Sequence, residues 1–112
     1  MPRRGSELVV ISWRDIPAQV NARSGGEKHQ FVLPRRFQRA IDDAAMTAGK
    51  KTASEYVGEW RRTAVPLPSG ADGIARLAEA ELQRIDAAFP RERLQEFVAN
   101  GGWDPARVEP AP

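Results

Sequence analysis

The feature that most constrains the fold is a change of hydrophobic period at Leu33–Pro34. Before it, Phe31 and Leu33 fall on one face of an extended segment and Lys28, Gln30 and Val32 on the other, which predicts a strand over residues 28–33. After it, apolar side chains recur every three or four residues, which predicts a helix with one buried face. Proline ends a strand because it cannot donate to the ladder, and its fixed φ suits the first turn of a helix. The buried stripe of this helix consists of Phe37, Ile41, Ala44, Ala45 and Ala48.

A second helix is expected directly after the first. Gly49 is a typical helix stop, and Thr52 followed three positions later by Glu55 is a capping box. We expect this helix to run to about Arg62, with Val57 and Trp60 on its buried side.

The N-terminal part predicts one strand and one short helix. Leu8 to Ile11 form a nearly continuous apolar run, so residues 7–13 are expected to be a buried strand. Asp15 is expected to cap a short helix that has Pro17 in its first turn and ends at Arg23, before the turn at residues 24–26. The strands at 7–13 and 28–33 are then expected to pair antiparallel. A parallel pair through a short helical crossover is the alternative.

The C-terminal part predicts two further helices. Apolar residues from Ile74 to Phe89 lie on one face of a long helix, Pro90 breaks it, and a last helix runs from Arg91 to Ala99. The predicted fold is therefore α+β: a small two-stranded sheet packed by two helices, with a C-terminal helical pair. Residues 7–62 are expected to form the α+β unit, residues 63–100 to pack on the same core, and residues 1–6 and 103–112 to be flexible tails. The alternative for Trp103 is that it folds back on the body.

Composition excludes several classes of site. The chain of 112 residues has no cysteine, so disulfides, thiolate metal sites and cysteine nucleophiles are not available, and His29 is the only histidine. The apolar runs are much shorter than a membrane span, and no secretory signal is recognisable, so a cytoplasmic protein without membrane contact is expected. No nucleotide-binding, hydrolase or metal motif occurs, and we predict neither a metal nor a cofactor.

An enzyme is therefore the less favoured interpretation. His29 shares a strand face with Phe31 and Leu33, where a partly buried, hydrogen-bonded histidine is expected rather than a general base. An unfamiliar active site that uses only carboxylates or arginines stays open.

Charge is unevenly distributed along the chain. Residues 1–62 carry 12 Lys and Arg against 7 Asp and Glu, a balance of +5, whereas residues 63–112 carry 5 against 8, a balance of −3. A basic half can attract an anionic partner, although solvation of exposed helix faces explains the same excess.

Two groups of residues are candidates for binding a partner protein. The segment with Trp13, Arg14, Asp15 and Gln19 follows a strand and contains residue types that dominate binding hot spots. The local alternative is that Trp13 is core, Arg14 pairs with a carboxylate and Asp15 is a cap. The second group is Arg35, Arg36 and Met46. Met46 lies on the polar side of its helix, where it either packs under a neighbouring segment, the favoured interpretation, or is exposed to a partner.

Several short segments occur in the order that they have in a known family: Trp13–Val20, Arg36–Phe37, Ala40–Asp42, Ala45–Met46 and Glu59–Arg62. Together they resemble the small bacterial virulence factor domain, which also occurs at the end of longer conserved virulence factor proteins with helical repeats. The likeness covers about residues 8–62. It implies a bacterial cytoplasmic protein and carries no catalytic residues with it. The helices after Arg62 are expected to be an addition outside the family domain.

A second pattern is similar to that of ribbon–helix–helix DNA-binding proteins: a strand ending in Leu33–Pro34, a helix, Gly49 and a second helix. By this analogy Lys28 and Gln30 would read bases in a major groove, and the backbone around Thr52 and Ser54 would bind a phosphate. The favoured hypothesis is instead a non-enzymatic accessory protein, a monomer or weak dimer, that docks on another bacterial protein. A dimeric DNA-binding regulator is the alternative.

Overall fold

A computed structural model describes residues 6–67 and 73–106, and within these ranges it has an α+β fold with one antiparallel four-stranded sheet and four helices. The predicted class is correct, and the predicted two-stranded sheet is wrong. The strands are β1 (Glu7–Trp13), β2 (Ile16–Ser24), β3 (Glu27–Val32) and β4 (Trp60–Ala64), in the spatial order β3-β2-β1-β4. The helices are α1 (Arg35–Thr47), α2 (Ala53–Val57), α3 (Ile74–Ala88) and α4 (Arg91–Ala99).

The short helix expected between Asp15 and Arg23 is in fact the central strand β2. It pairs with β1 on one side and with β3 on the other, so that Val20 lies beside both Val10 and Phe31. The strands at residues 7–13 and 28–33 are therefore separated by β2, and they pair with each other neither antiparallel nor parallel. Pro17 is tolerated in β2 because it lies opposite Ser12, where the register with β1 shifts, and bulges accept proline.

Tight turns connect the first three strands. Arg14 and Asp15 alone join β1 to β2, and Arg14 has a left-handed backbone with φ of 52°. Asp15 is thus a hairpin residue and not a helix cap. Gly25 has φ of 58° and joins β2 to β3 together with Gly26, as the predicted turn requires.

The second helix begins as predicted but is much shorter. The Thr52 hydroxyl accepts a hydrogen bond from the Glu55 amide, and the Glu55 carboxylate accepts one from the Thr52 amide, which confirms the capping box. The helix ends at Val57, whose side chain is 61% exposed and not buried as expected. The chain then forms β4, in which Trp60 pairs with Trp13 of β1.

The helices and one face of the sheet share a single hydrophobic core. The apolar stripe of α1 is confirmed, since Phe37, Ile41, Ala44 and Ala45 are buried and Ala48 packs against them. The predicted bounds of α4 are also confirmed. Both C-terminal helices contribute to the same core through Ile74, Ala78, Ile85, Leu94 and Phe97. The predicted tails at residues 1–5 and 107–112 lie outside the described residues.

The opposite face of the sheet carries polar side chains. Alternation along the strands places Gln19, Asn21 and Gln30 there. Gln30 donates to Gln19 at 2.9 Å, and Gln19 donates to Asn21 at 3.2 Å, so the three amides form one row across β3 and β2. In the part of the chain that the structure describes, no helix is long and apolar enough to cross a membrane.

Candidate functional site

Trp13, the first residue of the predicted docking segment, lies inside the core. Its side chain has no exposed surface, its indole N–H donates to the Tyr56 carbonyl at 2.8 Å, and its ring stacks on Tyr56. A buried tryptophan with a satisfied N–H supports the local interpretation of this residue. A partner that touched Trp13 would first have to open the core.

Arg14 and Asp15 bind other segments of the same chain. Arg14 donates to the Glu59 carboxylate and to the Gly101 carbonyl, both at 2.9 Å, and its guanidinium lies between the rings of Trp13 and Trp103. Asp15 accepts a hydrogen bond from the Asp104 amide at 2.9 Å. The hairpin turn therefore holds the segment that follows α4. That segment includes Trp103 and Asp104, which were expected to belong to a flexible tail.

The remaining candidate residues do not lie on one surface with this turn. Gln19 points to the open sheet face, where it belongs to the row of amides. Met46 is 75% exposed near the end of α1, so the expectation that it packs under a neighbouring segment is wrong. Arg35 and Arg36 lie at the other end of the same helix.

The residues of the DNA-binding alternative are separated as well. Lys28 and Gln30 belong to β3, which already pairs along its length with β2. Thr52 and Ser54 precede β4, and β3 and β4 are the two opposite edges of the sheet. A helix of five residues followed by a strand is not the second helix of a ribbon–helix–helix unit. The strand, the first helix and the start of the second helix follow each other as in that pattern, but β3 belongs to a four-stranded sheet formed within one chain.

A cleft between α1 and α4 brings together basic side chains that the sequence separates. Its volume is about 390 Å³, and Arg39 lines it from α1 while Arg91 lines it from α4. The apolar side chains of Ala40, Leu94 and Val98 also line the cleft. The lining residues are Arg35, Arg36, Arg39, Ala40, Asp43, Arg91, Leu94, Gln95 and Val98.

Arg36 of α1 binds the C-terminal end of α3, directly before α4. Its guanidinium donates to the Asp86 carboxylate and to the carbonyls of Asp86 and Phe89, just before α4 begins. Phe89 also packs edge-on against Phe37 of α1 and Phe97 of α4. The first turns of α1 and α4 therefore lie side by side, and the cleft is held by a rigid aromatic and ionic support.

The electrostatics of the cleft favour an anion. Arg35, Arg39 and Arg91 are exposed and form no ion pair with any carboxylate of the described residues, and Asp43 is the single acid in the lining. Pro34 and Pro90 occupy the N-cap positions of the two helices, and neither provides a capping side chain. The positive ends of two helix dipoles thus add to the charge of three arginines. Arg35 and Arg36 were singled out from the sequence, whereas Arg39 and Arg91 were missed.

His29, the one histidine of the chain, lies on β3 and does not line the cleft. His29 is half-buried, lies 3.3 Å from the Glu27 carboxylate and stacks on Phe31, as expected from its strand face. Among residues 6–67 and 73–106, no group of three or more His, Asp or Glu side chains is arranged to hold a metal ion. The cleft offers guanidinium groups, which form charge-assisted hydrogen bonds with carboxylates and phosphates.

Comparison with known proteins identifies the family. The family model described as "Virulence factor" matches residues 11–98, from β1 to the last turn of α4. The C-terminal helices, which were expected to lie outside the family domain, are therefore part of it. No curated protein and no solved structure matches the chain. The match covers most of the 112 residues, and the chain belongs to the virulence factor family.

Proposed function

We propose that this domain is a non-enzymatic accessory module of the bacterial cytoplasm that binds an acidic segment of a partner protein in the cleft between α1 and α4. The observation that carries the proposal is the group of Arg35, Arg39 and Arg91 around one cleft, without an ion pair to a described carboxylate. Exposed arginines that converge on a cleft provide charge complementarity to carboxylates.

The floor of the cleft favours a protein over a nucleic acid. Val98 is half-buried, so an occupant gains by covering its remaining apolar surface with an apolar side chain, whereas Leu94 is already buried. Nucleic-acid affinity depends on many phosphate contacts along a surface, and three cations beside Asp43 in one short cleft provide few of them. An amphipathic acidic helix, which has carboxylates on both sides of an apolar residue, fits this chemistry better.

A pair of synthetic peptides tests the proposal. One peptide carries glutamates at helical spacing around a central leucine, and the control peptide has glutamine in place of each glutamate. We expect the acidic peptide to bind with an affinity that falls as salt rises, and we expect the glutamine peptide not to bind. Comparable binding of the two peptides would contradict a charge-based site.

Charge reversal locates the binding surface. Arg39→Glu or Arg91→Glu should weaken binding of the acidic peptide by roughly tenfold, because each replaces an attraction with a repulsion. Arg76→Glu is the matched control, since Arg76 is also exposed but lies on α3 and does not line the cleft. If the control variant loses as much affinity as the cleft variants, binding depends on net charge and not on this cleft. Variants of Trp13 are unsuitable for the test because that side chain is core.

A further inference from the structure

We propose that β3 is also a self-association edge, and that two copies of the chain pair β3 antiparallel in a register centred on Gln30. The result is one sheet that continues through both copies. This inference goes beyond the proposed function and uses a different surface, because β3 lies in the sheet while the arginine cleft lies between two helices.

The register of the sheet shows which backbone groups of β3 point outward. Leu33 donates to the Ala18 carbonyl at 3.0 Å, so every second residue before it, including Phe31, bonds to β2. The N–H and C=O groups of Lys28, Gln30 and Val32 therefore point away from β2. No hydrogen bond to these groups occurs within the described parts of the chain.

The edge lacks most of the features that block strand pairing. The pairing of β3 with β2 is regular over its whole length, with no bulge, and the strand contains no proline. Val32 is 66% exposed although it is a large apolar residue. A regular edge with unpaired backbone groups and an exposed apolar side chain is a template for another strand. Lys28 is its one protective cation.

The register centred on Gln30 makes this edge self-complementary. It places Lys28 opposite Val32 of the second copy and Gln30 opposite Gln30. The outward N–H and C=O groups of these three residues then form hydrogen bonds with the same groups of the symmetric copy. The aliphatic part of Lys28 then covers the exposed Val32. A register centred on Lys28 would instead place two lysines opposite each other, and like charges in that position are unfavourable.

Both faces of the extended sheet support the same register. On the open face, Gln30 lies beside Gln30 of the second copy, which joins the two rows of hydrogen-bonded amides across the symmetry axis. On the helical face, His29 lies opposite Phe31 of the second copy, and both of these side chains are only half-buried within one chain. Aromatic cross-strand neighbours stabilise antiparallel pairs.

Sedimentation equilibrium of the full chain tests the pairing, because it yields the dimer dissociation constant. We expect a concentration-dependent dimer, and we expect Val32→Lys to raise its dissociation constant about fivefold, since two symmetric Lys–Lys pairs replace two Lys–Val pairs. The double variant Lys28→Glu with Val32→Lys places opposite charges across the axis and should restore the dimer. Ala64→Lys is the matched control, because it adds the same charge to the outer side of β4 and should leave the constant unchanged.

Amide hydrogen exchange gives an independent readout. The amides of Lys28, Gln30 and Val32 should become protected as protein concentration rises, while circular dichroism verifies that each variant is folded. A monomer at every concentration with these three amides unprotected would overturn the proposal. A dimer that Val32→Lys does not weaken, or that the double variant does not restore, would assign association to another surface and overturn it equally.

Discussion

Among the glycines of the described residues, Gly102 is the one where an added methyl group would meet the closest contact. It has φ of +98°, and a Cβ atom there would lie 2.8 Å from Cζ3 and 3.1 Å from Cε3 of Trp13. The indole cannot move away, because Trp13 has no exposed surface and its N–H is bonded to the Tyr56 carbonyl. Gly102→Ala must therefore displace the segment after α4 from the hairpin or distort the core around Trp13.

The expected cost has two parts. A left-handed backbone costs an alanine roughly 1–2 kcal/mol, and an overpacked contact against a fixed core residue costs roughly 1–3 kcal/mol more. We expect Gly102→Ala to lower the free energy of unfolding by about 2–5 kcal/mol, a large share of the roughly 5–15 kcal/mol typical of a whole domain. The melting temperature should fall by roughly 10–20 °C.

Equilibrium unfolding in urea measures this cost, and two other glycines serve as controls. Gly49 also has a positive φ, of +72°, but a Cβ there meets no atom within 4 Å, so Gly49→Ala should show the backbone part alone. Gly26 has open space and no positive φ, so Gly26→Ala should change stability by less than about 0.5 kcal/mol. If Gly102→Ala costs no more than Gly49→Ala at an unchanged m-value, the close approach of Gly102 to Trp13 is refuted.

Further variants probe the core, the cap and the support of the cleft. Ile41→Val removes one methylene from a fully buried site and should cost about 0.5–1.5 kcal/mol in urea unfolding. Thr52→Ala removes the cap of α2 and should cost about 1 kcal/mol in the same assay. Hydrogen bonds from Thr52 hold the pKa of Glu55 below its ordinary value, so the stability that Glu55 contributes is present above its unfolded pKa and is lost as pH falls through its folded pKa. Glu55→Gln should therefore flatten the acid side of a plot of urea midpoint against pH. Arg36→Lys cannot reproduce the guanidinium fork that binds Asp86 and the Phe89 carbonyl. We expect it to lower the urea unfolding midpoint and to weaken acidic-peptide binding. An unchanged unfolding midpoint would show that the fork is dispensable.

Local signals predicted the buried stripe of α1, the start of α2 and the bounds of α4, but not the end of α2, which lies at Val57 and not near Arg62. The stripe of α1, the stop at Gly49, the capping box at Thr52 and the bounds of α4 all depend on residues within one or two turns of each other. Their physical causes are intrinsic to a short segment, namely side-chain period, caps and left-handed turns. Such features can be predicted without knowledge of the rest of the chain.

The sheet required information that no short segment contains. Residues 16–24 alternate apolar and polar side chains, but two of the apolar residues are alanines, and Pro17 suggested a helix start. The turn before them has no glycine. Arg14 keeps its left-handed backbone while its side chain bonds to Glu59 and to Gly101, both distant in sequence. In the same way, the residues of β4 continue a helical pattern, but they form a strand because they pair with the edge of β1.

For the candidate site, the residue types alone exclude thiolate and two-histidine chemistry, and the helix pattern alone places Arg35 and Arg36 at the start of a helix. Which other arginines lie beside them depends on the packing of distant segments. Arg91 is more than fifty residues from Arg35 in sequence, and it lies beside α1 because Phe37, Phe89 and Phe97 pack together. Each residue brings its own charge, but a binding site also requires that these charges lie a short distance apart. The packing of the core sets that distance.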